Sequence, residues 1–120
     1  MTPLTLTHQR LHGVALITAT GELDSTNRTY FEAYLAEVGS QLPYVMVLDL
    51  SQLTFMDSSG LGAIIIATQA QRARGGDLWL AAVRPTPRYL ITRTGLEPYL
   101  KVHATVDDAL TAARSHPADS

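Results

Sequence analysis

Hydrophobic and polar positions follow two rhythms along the chain. Leu4-Thr5-Leu6-Thr7 alternates with period two, and after the turn signal His12-Gly13 comes the apolar run Val14-Ala15-Leu16-Ile17-Thr18-Ala19. Two such segments joined by a short turn predict an opening antiparallel hairpin. Gly21 is expected to end the second strand, and Asp24-Ser25-Thr26-Asn27 offers several N-caps for a helix after it. Tyr30, Phe31, Tyr34, Leu35 and Val38 then recur at three and four residues, the spacing of one helix face, until Gly39 and Pro43 stop it.

Tyr44 to Leu50 is apolar almost throughout, which predicts a strand covered on both sides. A turn around Asp57-Ser58-Ser59-Gly60 leads into a second helix to about Arg74, ended by Gly75-Gly76. Leu78 to Val83 is another apolar strand. Pro85 to Thr94 suits a helix, with proline in its first turn and Gly95 at its C-cap. Val102-His103 suits a last short strand. Thr105 then caps a final helix through Ala112, with Val106, Ala109, Leu110 and Ala113 on one face. This order implies an α/β fold: one mixed, mostly parallel sheet with an antiparallel opening and about four helices. One domain over residues 1–114 is expected, with 115–120 a short tail that frays.

Composition narrows the chemistry. The chain of 120 residues is 46% hydrophobic and 17% charged, an ordinary globular balance, and carries a formal net charge of -2 with no Lys/Arg run. Nothing there suggests a footprint for nucleic acid or an anionic membrane. The longest apolar stretch, Ala63-Ile64-Ile65-Ile66-Ala67, is far short of the roughly 20 residues of a membrane span. The first ten residues lack the basic head and apolar stretch of a signal peptide, so a cytoplasmic protein is expected. With no cysteine there is no disulfide, thiolate metal site or cysteine nucleophile. His8 and His12 lie in strand and turn, and His103 and His116 are scattered, so no metal site and no cofactor are expected.

The chemistry concentrates in Phe55-Met56-Asp57-Ser58-Ser59-Gly60-Leu61-Gly62, where a buried strand ends and a helix begins. Open α/β sheets carry their sites at that end. The plain reading is that Ser58 or Ser59 caps the helix. A dinucleotide fingerprint fails, because Ile65 stands where its third glycine belongs, and no lysine follows for a phosphate loop. A nucleophile elbow lacks the glycine two residues before the serine. The remaining reading is a phosphoacceptor serine, whose added charge of about -1.5 to -2 suits a helix N-terminus.

Gly21-Glu22-Leu23-Asp24, Asp57-Ser58-Ser59-Gly60-Leu61-Gly62, Gly75-Gly76 and Thr94-Gly95-Leu96, in this order and spacing, resemble the STAS domain family, in particular the stand-alone bacterial anti-sigma factor antagonists. The resemblance runs from about Leu4 to Ala113. It implies a regulatory, non-enzymatic protein that binds an anti-sigma factor when unmodified and so frees a sigma factor. The anti-sigma factor is commonly a serine kinase using ATP and Mg²⁺, and a PP2C-type phosphatase reverses the modification. The implied acceptor is Ser58, directly after the motif aspartate, with Ser59 as the alternative.

On a helical wheel Leu61, Ile64, Ile65 and Thr68 form the core face of the second helix, and Ser59, Ala63, Ile66 and Ala70 fall roughly opposite. Ala63 and Ile66 are therefore expected to dock a partner, with Glu22 and Asp24 flanking Ser58 from the neighbouring strand end. A monomer is expected. Two other readings stay open: a constitutive STAS scaffold or ligand-binding subunit without switching, and a small hydrolase pairing Ser58 with His103.

Overall fold

The computed structural model describes residues 3–116. Five strands and four helices alternate as β1 (Thr5–Leu11), β2 (Val14–Leu23), α1 (Arg28–Gly39), β3 (Val45–Met56), α2 (Ser58–Ala73), β4 (Asp77–Ala81), α3 (Pro85–Thr94), β5 (Lys101–His103) and α4 (Val106–Arg114). The strands lie side by side in sequence order. The β1–β2 pair is antiparallel and every later pair is parallel, as the element order requires.

Period-two alternation sorts the strand residues between two cores. Ala15 and Ile17 of β2, with Met46, Leu48 and Leu50 of β3, face one side, where Phe31 and Leu35 of α1, Leu61 and Ile64 of α2 and Ile91 of α3 cover them. Val14, Leu16, Val45, Val47, Trp79 and Ala81 face the other side, which α4 covers with Ala109, Leu110 and Ala113. Burial on both faces explains the nearly unbroken apolar run at the start of β3.

Local signals work as expected in the second half of the chain. Arg84 precedes Pro85 at the head of α3, and Gly95 closes that helix in the left-handed conformation, φ 74°. The Thr105 hydroxyl accepts from the Asp108 amide at 3.0 Å, capping α4. Residues 117–120 of the expected tail lie outside the described residues, and Ser115 serves as the C-cap of α4.

Three boundaries differ. Gly21 does not end β2, which runs on to Leu23. Its φ of +113° lets the chain pass so close to Pro3 that a β-carbon would sit 2.1 Å from the Pro3 carbonyl oxygen. β3 continues six residues past Leu50, to Met56. Two register shifts against β2 break its alternation there, so Ser51-Gln52 reads as a strand end although pairing persists to Leu23 and Met56. β4 stops at Ala81, where Ala82 turns out of the strand at φ 55°. The consequence is architectural. Pairing of β3 with β4 ends at Asp49 and Ala81, so the last part of β2 and β3 extends past β4 as a two-stranded ribbon.

Candidate functional site

The ribbon ends in the motif turn. Asp57 follows β3 in an extended conformation, and Ser58 is the first residue of α2. The cap is therefore neither serine: the Asp57 carboxylate accepts from the Gly60 amide at 3.0 Å. The Asp57 amide donates to the Leu23 carbonyl at 3.2 Å, and its own carbonyl accepts from Leu61 at 3.0 Å. Two of these bonds close the first turn of α2, and the third ties it to the end of β2. Gly60 makes the approach possible, because a β-carbon there would lie 2.7 Å from Leu23 Cγ and 2.9 Å from the Leu23 carbonyl oxygen.

With the cap supplied by Asp57, the serines have no structural duty to perform. Ser58 is exposed and Ser59 half-buried. Among the described residues neither hydroxyl has a hydrogen-bond partner. The flanking acids come from the end of β2, which carries Glu22, and from the loop after it, which carries Asp24. Glu22 is half-buried opposite Phe55, and its carbonyl accepts from Asn27 Nδ2 at 2.8 Å. Asp24 accepts from the Thr26 hydroxyl and from the Thr26 amide, and these bonds hold its carboxyl below the usual carboxylate range. Asn27 stands at the N-cap of α1 without capping it; its side chain instead accepts from the Asp24 amide, bracing the loop.

The expected docking pair separates. Ile66 is 47% exposed, whereas Ala63 is fully buried. Ala63, expected on the docking face, belongs instead to the buried core cluster, because α1 packs against that flank of α2 and covers it. Ala63 forms the floor of a shallow apolar groove between α1 and α2, with Ile66, Ala67 and Leu35 along it and Glu32 and Arg74 at its rim. Ile65, expected in the core, is only half-buried.

Two features near the turn are not legible in the sequence pattern: the exposure of Phe55, although it opens the motif segment, and the place of Arg28. Phe55 is 41% exposed on the ribbon, next to buried Met56. Arg28, at the start of α1, pairs with Glu32 one turn on, and its guanidinium lies against Gly62, where a β-carbon would be 3.4 Å from Nη1. Only the packing of α1 on α2 brings Arg28 there.

The hydrolase pairing fails on distance. His103, Ala81 and Asp49 are level across β5, β4 and β3, while Ser58 follows Met56, seven residues further along β3. At a rise of about 3.3 Å per residue that is roughly 20 Å. Among the described residues no three His, Asp or Glu side chains gather as a metal site would need, and no helix is long and apolar enough to cross a membrane.

A five-stranded sheet opening antiparallel, with a capped serine turn at the head of its second helix, defines a class, and comparison with known proteins agrees. The STAS domain model matches residues 5–109, and the chain belongs to that family. It is 31% identical over 111 residues to the anti-sigma-F factor antagonist RsfB of Mycobacterium tuberculosis, covering 92% of this chain and 90% of that one. Among solved structures it is similar to an anti-sigma factor antagonist from Mycobacterium paratuberculosis, with 29% identity, TM-score 0.86 and coverage of 94% and 96% of the two chains. It is also similar to the anti-sigma factor antagonist SpoIIAA in its unphosphorylated form, with 25% identity, TM-score 0.76 and coverage of 93% and 96%.

Proposed function

We propose that this protein is an anti-sigma factor antagonist switched by phosphorylation of Ser58. Unmodified, it binds an anti-sigma factor as a monomer in the cytoplasm, and a sigma factor is released. The anti-sigma factor is also the kinase: the γ-phosphoryl group of Mg²⁺-bound ATP passes to Ser58 Oγ, ADP leaves, and the hydroxyl proton goes to solvent. The added charge ends the complex, and a PP2C-type phosphatase hydrolyses the phosphoester to restore it. A coupling of about 1–3 kcal/mol between modification and binding is enough to exchange partners.

The observation that carries this reading is the division of labour in the turn. Asp57 holds the helix, so the exposed Ser58 hydroxyl is accessible and a phosphate on it breaks no bond of the fold. The named relatives, all antagonists, support the role. Ile66, the apolar groove beside it, Glu22 and Asp24 form the surface around the acceptor that a partner reads.

Intact mass and phosphosite mapping on protein from its own cells, across growth and stress, tests the proposal. One phosphate at Ser58 whose fraction changes with condition is expected, abolished by Ser58→Ala and retained by Ser59→Ala. Protein that stays unmodified in every condition would instead identify a constitutive STAS module.

A further inference from the structure

Arg28 occupies a position that its present partner does not explain. Both terminal nitrogens of its guanidinium approach Gly62, with a β-carbon there lying 3.4 Å from Nη1 and 3.6 Å from Nη2. Gly62 is four residues after Ser58, so the two share a face of α2, and the β-positions of such residues are about 5–6 Å apart. The guanidinium therefore lies over the first turns of α2, on the face that also carries the acceptor, and the missing side chain at Gly62 leaves room for it.

Its present bond is a single one, from Nε to Glu32. Both side chains are about one-third exposed, at 34% and 36%, and within one helix such a pair is held weakly. A phosphoserine is a stronger partner. It carries up to two negative charges against one, and its oxygens accept two parallel N–H bonds from the planar fork of arginine. Glu32 also lies at the rim of the α1–α2 groove beside Ile66.

Building on the proposed modification of Ser58, we infer that Arg28 is the intramolecular partner of the phosphate. On phosphorylation the guanidinium moves from Glu32 to the phosphate, and the Glu32 carboxylate is left unneutralised at the groove. The modification thus changes two surfaces: it adds charge at the turn and uncovers a second negative charge about one helix turn along α1. A partner seated on the groove senses the switch even where it does not touch Ser58.

The test installs phosphoserine at position 58 during translation, so that it depends on no kinase, and follows the phosphate by ³¹P NMR as pH is varied. The second phosphate pKa in the otherwise native chain is expected to lie roughly 0.5 to 1 below that in Arg28→Gln, with Arg28→Lys between them. Glu32→Gln, which removes the competitor, is expected to lower it further. The acids near the turn, Asp57, Asp24 and Glu22, are common to all four proteins and cancel in the comparison. The Arg28 Nε–H resonance is expected to shift between the unmodified and phosphorylated chains. Coincident titrations of the native and Arg28→Gln backgrounds, or an unmoved Nε–H resonance, would overturn the inference. An unchanged pKa in Glu32→Gln would refute the exchange. Thermal unfolding of each variant shows that it is folded, and since Arg28 lies outside both cores none is expected to be lost. A clamp seen with installed phosphoserine in a protein that no kinase modifies would refute the switch but not the geometry; the reverse pattern would refute only the clamp.

Discussion

Replacing Asp57 separates the two roles an acid can play beside the proposed phosphoacceptor. Asp57→Ala removes the carboxylate that accepts from Gly60 at 3.0 Å, while the backbone bonds of residue 57 to Leu23 and Leu61 survive. The loss is that of one N-cap, about 1 kcal/mol. A chain of 120 residues unfolds with an entropy near 0.25 kcal/mol/K, so the midpoint should fall by about 4 °C. Asp57→Asn keeps an acceptor oxygen but removes the charge, and asparagine caps as well as aspartate does. Thermal and urea unfolding by circular dichroism should therefore place Asn within a few tenths of a kcal/mol of the native protein, and Ala clearly below it. Equal losses in the two variants would mean that charge against the helix dipole, not the cap bond, supplies the stability. No loss in Ala would refute the claim that Asp57 frees the serines from structural duty.

Other predictions concern packing and charge. Gly60→Ala pushes a methyl to 2.7 Å from Leu23 Cγ and 2.9 Å from a backbone oxygen that cannot yield, and should cost about 1–3 kcal/mol in urea unfolding. Gly62→Ala meets only the mobile end of Arg28 at 3.4 Å and replaces a helix glycine, so it should be neutral or mildly stabilising. Asp77, 7% exposed, accepts from Arg72 Nε at 2.9 Å and Lys101 Nζ at 2.8 Å. Burial by itself raises its carboxyl, but bonds from Lys101, the Leu78 amide and Arg72 outweigh it and hold the carboxyl below the usual range. Asp77→Ala should cost about 2 kcal/mol, less than a fully buried pair, because Arg72 and Lys101 are 31% and 45% exposed and return to water. A lowered folded pKa stabilises above the unfolded value and not below the folded one. The midpoint gap between native protein and variant should thus be full above about pH 4 and close as pH falls further.

The fold was legible where one physical signal acted alone. Pro85 and Gly95 delimit α3, Thr105 caps α4, and the apolar run from Val45 to Leu50 marks a doubly covered strand. Signals failed where two effects met. Register shifts after Thr18 and Gly21 hide the end of β3, because a bulge moves later residues to the other face. The wheel set Ala63 opposite the core face, yet the residue is buried, since a helix packed on two sides has two buried flanks. At the turn, Asp57, Ser58 and Ser59 are all competent caps, and only the chain's direction into α2 selects the first. Arg28 left no trace in the pattern, because its place beside Gly62 comes from how two helices cross.

The cap on Asp57 also bears on how such proteins diversify. Because the helix start does not depend on the residue after it, position 58 can change without a toll on folding. Serine can become alanine, threonine or an acid in a single codon step or two, and the domain would still assemble. A regulated antagonist and a permanently active or permanently silent one are then neighbours in sequence space, separated by no valley of misfolded intermediates. Duplicated genes could cross between these states freely, with selection acting on signalling alone.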